Sequence, residues 1–423
     1  MYEARRKVFW FAIISRIIVL SLQFFFNFIC PDHNADAFKA PTDNSEQISL
    51  YDSVVTFLFS GLARWDGEYF LHIAKYGYTY ENTLAFYPLY PMLLRIISVP
   101  IRKIFFVLNV HSSILITATL VNIICFVKSA VIFYDLSTAV LKSTSVAYKA
   151  AILYCINPAT IFFSAVYSES LFAYLSYYSM LRSIKLDPYV SFPIGLSILT
   201  RSNGMVNIGT LKIFCLMFNT IIISIIPFIL LQTYNYLMFC TPNLNLTFIP
   251  EHITNFSIVN NLVLPGNSNV EWCHSKIPMA YSYIQKRYWN VGFLNYYEIK
   301  QIPNFILAFP ILYIMIRCIK EYFYENKKYF YTLGFIKGIG NNVETERKKY
   351  PTEMLVFVIH GLFLAIFCIL FVHIQVSTRL ISSASPLIYW YCKYTLKDKL
   401  ILSYFLGYGV VGCFMFSNFL PWT

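Results

Sequence analysis

The residues Arg64-Trp65-Asp66-Gly67-Glu68-Tyr69-Phe70 set two carboxylates beside a tryptophan in a chain that is 57% hydrophobic and only 13% charged. An acid in so apolar a sequence, near a membrane surface, is costly and calls for a reason. One reason is chemical: a carboxylate at a lipid–water boundary can take the proton of a sugar hydroxyl as a general base. The other is structural, with Asp66 N-capping a helix from about Gly67 to Tyr76. Glu68 and His72 are four apart and share a face of that helix; Asp66 and Glu68 do not, so a facing pair of acids is not expected.

Other polar clusters stand out against the apolar background. Glu169, in Tyr167-Ser168-Glu169-Ser170, is an isolated acid in an aromatic stretch. It either pairs with an arginine such as Arg201 inside a bundle or marks a functional site, and the same two readings apply to Arg201 and its neighbour Asn203. Between Tyr281 and Phe293, aromatics alternate with amides and bases that include Lys286, Arg287, Trp289 and Asn290. Such rings either face sugars and acyl chains or anchor a loop at the interface. Lys286, as a point charge, and Arg287, as a two-pronged donor, could meet a phosphate. The run His373-Ile374-Gln375-Val376-Ser377-Thr378-Arg379 holds more polar groups than a snorkelling Arg379 requires. No GxxxxGKT, GxGxxG, HExxH, GxSxG or DxD pattern occurs, so nucleotide-driven chemistry and zinc hydrolysis lack their usual parts, and no metal or other cofactor is expected.

These clusters need a scaffold. Soluble domains carry roughly 25% charged residues, and half that share with long apolar runs indicates an all-α polytopic membrane bundle, a single integral membrane domain over residues 1–423. The formal charge of +12 comes from bases scattered between apolar segments, which suits cytoplasmic loops and not a nucleic-acid surface. Residues 1–7, with Arg5-Arg6-Lys7, read as a cytoplasmic tail before a first span from Val8 to Ile29. Residues 30–85 form a first luminal loop with amphipathic helices; residues 31–63 hold Asp32, Asp36, Asp43, Glu46 and Asp52 against Lys39.

Apolar segments follow at about 86–108, 112–134, 147–165, 168–182, 190–209 and 211–239. If all six cross, Glu169 lies near the cytoplasm. Asn157-Pro158 favours a broken segment that would bring Glu169 to the luminal side. Residues 240–303 form a second luminal loop, with two glycosylation sequons at Asn245 and Asn255 and a Cys240–Cys273 disulfide if that side is luminal. The remaining cysteines mostly fall in apolar segments and read as small core residues. Spans near 304–319, 353–372, 380–395 and 400–420 enclose a basic cytoplasmic loop over 320–352.

The motifs RWDGEYF at 64–70, FYPLYP at 86–91, NPATIFFSAVYSESLFAY at 157–174, RSNG at 201–204 and HIQVSTRLISSASPLIYW at 373–390, with Trp272-Cys273 and the stretches 281–293 and 297–305, resemble the GPI mannosyltransferase 2 family. They fall in that family's order over nearly the whole chain. The resemblance implies a GT-C-like fold in the endoplasmic reticulum membrane with a luminal site. It also implies a dolichol-phosphate-mannose donor, a mannosyl-GPI lipid acceptor and an inverting α-1,6 transfer. It assigns Asp66 as the general base, with Glu68 as second choice. Lys286, Arg287 and Arg379 become candidates for the phosphate; Trp65, Trp289, Asn290 and Gln375 for the sugar; and Glu169, Arg201, Asn203 and His373 for the remaining substrate contacts. A small membrane partner subunit stays open. So do two other classes, a lipid or sugar transporter and a non-catalytic subunit that holds substrate. An intact Trp65-Asp66 argues against the latter, and the absence of internal repeats against the former.

Overall fold

The computed structural model describes residues 2–422 except 42, 44, 45, 212, 213, 243–248, 268, 332–349 and 393–398. Among the described residues every regular element is helical. Six helices among the described residues are long and apolar enough to cross a membrane: Tyr2–Ile29, Val110–Leu141, Phe218–Cys240, Ile299–Glu325, Thr352–Leu370 and Lys399–Ser417.

The first helix, α1 (Tyr2–Ile29), already includes most of the expected N-terminal tail. It runs from one end of the bundle, the base, to the other, where the polar clusters gather. At that site end lie α2 (Leu50–Phe59), capped reciprocally by Ser49 and Asp52, and α3 (Asp66–Tyr76). The next helix, α4 (Leu89–Ile104), departs from expectation. Its start is held by Asn122, which donates to the Tyr90 hydroxyl at 3.0 Å. Just past its end, the Asn109 N–H donates to Asp52 Oδ1 at 2.9 Å, about 20 Å from Asn122 along the helix Val110–Leu141. Among the described residues, α4 is not one of the helices long and apolar enough to cross. Sixteen residues span about 24 Å, short of a hydrocarbon core of about 30 Å, and Arg95, Arg102 and Lys103 give the helix a wet face.

From there α5 (Val110–Leu141) descends to the base, antiparallel to α1: Arg5 Nη2 lies 3.2 Å from Asp135 Oδ2 near the base, and the Arg16 guanidinium sits 3.7 Å from the Phe126 ring centre further up. The climb back, α6 (Thr144–Cys155), stops before Asn157-Pro158; residues 156–168 continue without a regular α-helix to α7 (Glu169–Ile184). Without this break the carboxylate of Glu169 would not reach the site end. The break also frees backbone groups in a buried place, and these are paired from neighbouring elements. Arg16 Nη1 donates to the Thr160 carbonyl at 2.9 Å and Nη2 to that of Cys155 at 3.3 Å, while Asn122 donates to Tyr167 O at 3.2 Å. The Val166 N–H donates to Leu62 O at 3.0 Å. Arg16 is fully buried inside a segment that reads as an ordinary apolar span.

The expected segment 190–209 also breaks. It climbs as α8 (Ser191–Thr200), turns at Arg201 and doubles back as a 3-10 helix over Ser202–Thr210. Gly204 permits this return, because a Cβ there would stand 2.5 Å from the Ser197 carbonyl carbon. The long α9 (Phe214–Cys240) climbs again, and the described residues of 240–303, containing α10 (Glu251–Val259) and α11 (Ala280–Trp289), cover the site end.

The disulfide Cys240–Cys273 forms, with 5.5 Å between Cα atoms. Beside it, fully buried Glu81 accepts from Trp272 Nε1 at 2.9 Å and from the Tyr288 hydroxyl at 2.8 Å, tying this cover to the region between α3 and α4. Asn255 is exposed on α10; Asn245 lies outside the described residues.

Then α12 (Ile302–Glu325) descends, α13 (Lys327–Tyr331) lies at the base, and α14 (Leu355–Leu370) climbs to His373. The described part of the expected span 380–395 consists of two pieces, α15 (Ser377–Ala384) and α16 (Leu387–Cys392), separated at Ser385-Pro386, before α17 (Lys399–Ser417) completes the bundle. Lys337, Arg347, Lys348 and Lys349 of the basic loop lie outside the described residues.

Candidate active site

Asp66 is the first residue of α3 and does not cap it. The preceding Trp65 occupies the cap position without a side-chain hydrogen bond and with φ 55° and ψ −120°. A positive φ on a bulky residue outside the left-handed helical basin is strained, and such strain persists where surrounding contacts over-determine it. Here the Asp66 N–H donates to the Tyr167 hydroxyl at 3.0 Å, while the Gly67 N–H and Glu68 N–H donate to the carbonyls of Arg64 and Trp65. The turn leaves the Asp66 side chain free of capping duty.

That carboxylate meets Arg379: Nη1 of Arg379 lies 2.9 Å from Asp66 Oδ2, and its Nε lies 3.9 Å from Glu169 Oε1. Glu169 Oε1 in turn pairs with Arg201 Nη1. The result is a chain of alternating charge, Asp66–Arg379–Glu169–Arg201. Glu169 is fully buried, whereas Asp66 keeps 28% of its side-chain surface exposed. The pairing with Arg201 that the sequence left open is formed, and it also anchors Arg379. The Arg379 guanidinium lies 5.3 and 5.5 Å from the ring centres of Phe162 and Tyr167, aromatic faces that suit a cation. Two buried polar groups have no hydrogen-bond partner, Glu169 Oε2 and Arg379 Nε, so this centre has spare capacity.

An aromatic wall adjoins the carboxylate. Phe38 stacks on Tyr69 at 4.2 Å and Tyr69 on Phe86 at 4.6 Å, and Trp289 lies edge-on to both Tyr69 and Phe86 at 6.0 Å. The Tyr69 phenol is pushed up by burial and then by the negative charge of Asp66, which puts the wall within electrostatic reach of the acid. His373 hydrogen-bonds to the Trp289 backbone and stacks on Tyr296 at 4.5 Å; burial lowers its pKa. Gln375 accepts from the Tyr296 hydroxyl at 3.0 Å. His373 and Gln375 thus hold the cover against the start of α15. Trp65 packs against Phe419, with its buried Nε1 unpaired.

The remaining candidates separate. Glu68 accepts from the Ala40 N–H at 3.4 Å, away from the Arg379 chain; burial raises its pKa despite that bond and the charges of Arg64 and Lys39. Lys286, Arg287 and Asn290 are exposed on or just beyond α11, and Arg287 is engaged with the Tyr283 hydroxyl and lies 5.7 Å from the Tyr288 ring centre. Asn203 is buried with its Nδ2 unpaired. Sequence reasoning missed Tyr167, Arg16 and Glu81 as positioning groups. It also missed Tyr281, whose hydroxyl shares a 2.9 Å hydrogen bond with Ser202 beside Arg201. Tyr167 and Tyr281 both lie inside stretches the sequence singles out, 157–174 and 281–293, but among 34 tyrosines nothing local marks these two hydroxyls as positioning groups.

Fold and site together define a polytopic membrane enzyme with a carboxylate–guanidinium centre at one end of its bundle. The model of a family described as mannosyltransferase (PIG-V) matches residues 5–212 and 209–423. The chain is 35% identical to the GPI mannosyltransferase 2 of Drosophila melanogaster over 99% of both chains. It is 32% identical to the GPI alpha-1,6-mannosyltransferase 2 of Homo sapiens, again over 99% of both. A relative from Schizosaccharomyces pombe, also named GPI mannosyltransferase 2, is 28% identical over 86% of this chain. No solved structure matches. The chain belongs to the PIG-V mannosyltransferase family.

Proposed function

We propose that this mannosyltransferase of GPI-anchor synthesis takes mannose from dolichol-phosphate-mannose and places it, in α-1,6 linkage, on a one-mannose GPI lipid at the luminal face of the endoplasmic reticulum. The orientation is supported by Arg5, Arg6, Lys7 and Lys142 at the base, since basic residues favour the cytoplasmic side.

The observation that carries the mechanism is the Asp66–Arg379 contact at the mouth of a buried charge chain. A β-linked donor and an α-linked product require one inverting displacement. Asp66 takes the proton of the acceptor hydroxyl, the oxygen pair attacks the anomeric carbon, and the carbon–oxygen bond to phosphate breaks with its electron pair on the phosphate. Arg379 balances the charge gained by that leaving group. A phosphate competes with Asp66 for the guanidinium's N–H groups, and each contact it wins makes the carboxylate a freer base without moving Arg379 from its site. Glu169 and Arg201 keep Arg379 in place during the exchange. The wall of Tyr69, Phe86 and Trp289 offers faces for a sugar ring.

The test is mannose transfer in cells lacking GPI mannosyltransferase 2, which supply any small partner subunit. Conversion of one-mannose to two-mannose precursors by the intact chain, lost in Asp66→Asn at matched expression, supports the reading. Rescue by both proteins removes Asp66 from the chemistry; rescue by neither, with the intact chain stable and correctly located, removes the substrate assignment.

A further inference from the structure

At the base of the bundle, α1 begins 28 residues, or about 42 Å of helix, from its site end. There a groove of about 450 Å³ opens between α1, α5 and α7, lined by Arg5, Arg6, Phe9, Lys128, Val131 and Tyr174 among others. Its three cations are not equivalent. Arg5 is engaged by Asp135, and the neighbouring Lys7 by Glu3 at 2.8 Å. Arg6 and Lys128 form no ion-pair contact among the described residues, Arg6 feeling Glu3 only through space.

Lys128 is the unusual group. It is exposed on the flank of α5, seven residues before Asp135, so its Cα sits about 10 Å deeper along the helix than the Arg5–Asp135 pair. An ammonium at that depth on a bilayer-facing helix is costly unless its stem reaches the interface or an anion comes to it. Its Nζ lies 6.0 Å from the ring centre of Tyr174, directed into the groove. The groove is otherwise apolar, through Phe9, Val127, Val131 and Ile132, and Phe9, Trp10, Ile14 and Ile17 expose the adjoining surface of α1.

We propose that this groove binds one anionic phospholipid, with its phosphate between Arg6 and Lys128 and the first part of an acyl chain along Phe9, Val131 and Ile132. The two unpaired cations favour a net-negative headgroup over one whose own ammonium already neutralises its phosphate. The apolar floor favours a lipid over a soluble phosphate. Occupancy joins α1 to α5 at the base, as Arg16 joins α1 to the broken segment higher up. The site depends on membrane insertion and not on the reaction proposed above.

Native mass spectrometry of the purified full chain in neutral detergent, titrated separately with phosphatidylserine and phosphatidylcholine, tests this. One phosphatidylserine is expected to be retained where phosphatidylcholine is not. Arg6→Gln with Lys128→Gln should weaken that binding about 30-fold, the effect of two interfacial charges. Val131→Trp, which fills the floor and leaves every charge in place, should also displace the lipid. Lys103→Gln, an exposed cation on α4, should change nothing. Equal retention of the two lipids overturns the proposal, as does unchanged phosphatidylserine binding in both groove variants. Displacement by chain-free glycerophosphoserine at equal concentration overturns the acyl-chain part.

Discussion

Arg379 Nη1 lies 2.9 Å from Asp66 Oδ2, joining residues 313 positions apart in the chain. The same guanidinium faces Glu169, so one side chain connects the partly exposed acid to the buried one. A lysine has one ammonium and cannot present separate nitrogens to a phosphate, Asp66 and Glu169. Arg379→Lys should therefore lower kcat for mannose transfer by about 10- to 100-fold, the loss of one charge-assisted hydrogen bond, with a smaller effect on acceptor KM. Steady-state assays in membranes at varied acceptor concentration would read both.

Glu169→Gln leaves Arg201 charged and without its carboxylate. Removing one member of a buried pair costs about 3–5 kcal/mol, which should show as a lower melting temperature in detergent. Arg201→Gln added to it should recover part of that loss. Strictly additive losses would mean the two side chains do not interact.

Arg16→Met is expected to destabilise the chain by about 1–3 kcal/mol for each carbonyl it orphans, Thr160 O and Cys155 O. Hydrogen exchange should increase across 156–168 before it increases in α5. Arg16→Lys should recover only part, since an ammonium cannot reproduce the fork.

Opening the Cys240–Cys273 disulfide by serine substitution releases a 33-residue loop, worth about 3–4 kcal/mol in the chain-entropy account. Proteolysis between 240 and 303 should accelerate while α5 and α7 stay protected. Glu81→Gln should act in the same direction, because the amide has a single oxygen for the two donors Trp272 and Tyr288.

Burial raises the pKa of Glu68, so the folded state binds its proton more tightly than the unfolded chain does. The associated stability is present below the unfolded carboxylate value and is lost as pH rises through the folded one. Glu68→Gln should melt higher than the parent at pH 7 and lose that advantage near pH 4. An equal difference at both pH values would place the effect outside this ionisation.

The sequence by itself determined the class and the family motifs. Low charge with long apolar runs leaves helices as the way to satisfy the backbone in lipid, and the order of Trp65-Asp66, Asn157-Pro158 and Arg201-Ser202-Asn203-Gly204 is a linear property. It also brought Glu169 with Arg201 and Cys240 with Cys273 into question as pairs. What only the tertiary structure decided are relations across packed elements. Hydropathy is local and treats 86–108 like a span, whereas its helix α4 is only sixteen residues long and carries Arg95, Arg102 and Lys103 on an exposed face. It reads Arg16 as one charge in an apolar helix, because the carbonyls that need it belong to a break 144 residues away. Asp66 could cap its helix or serve chemistry on equal local terms. The turn at Trp65 removes the capping role and the arrival of Arg379 gives the carboxylate a charged partner, two relations set by which groups meet in three dimensions and not by the local sequence.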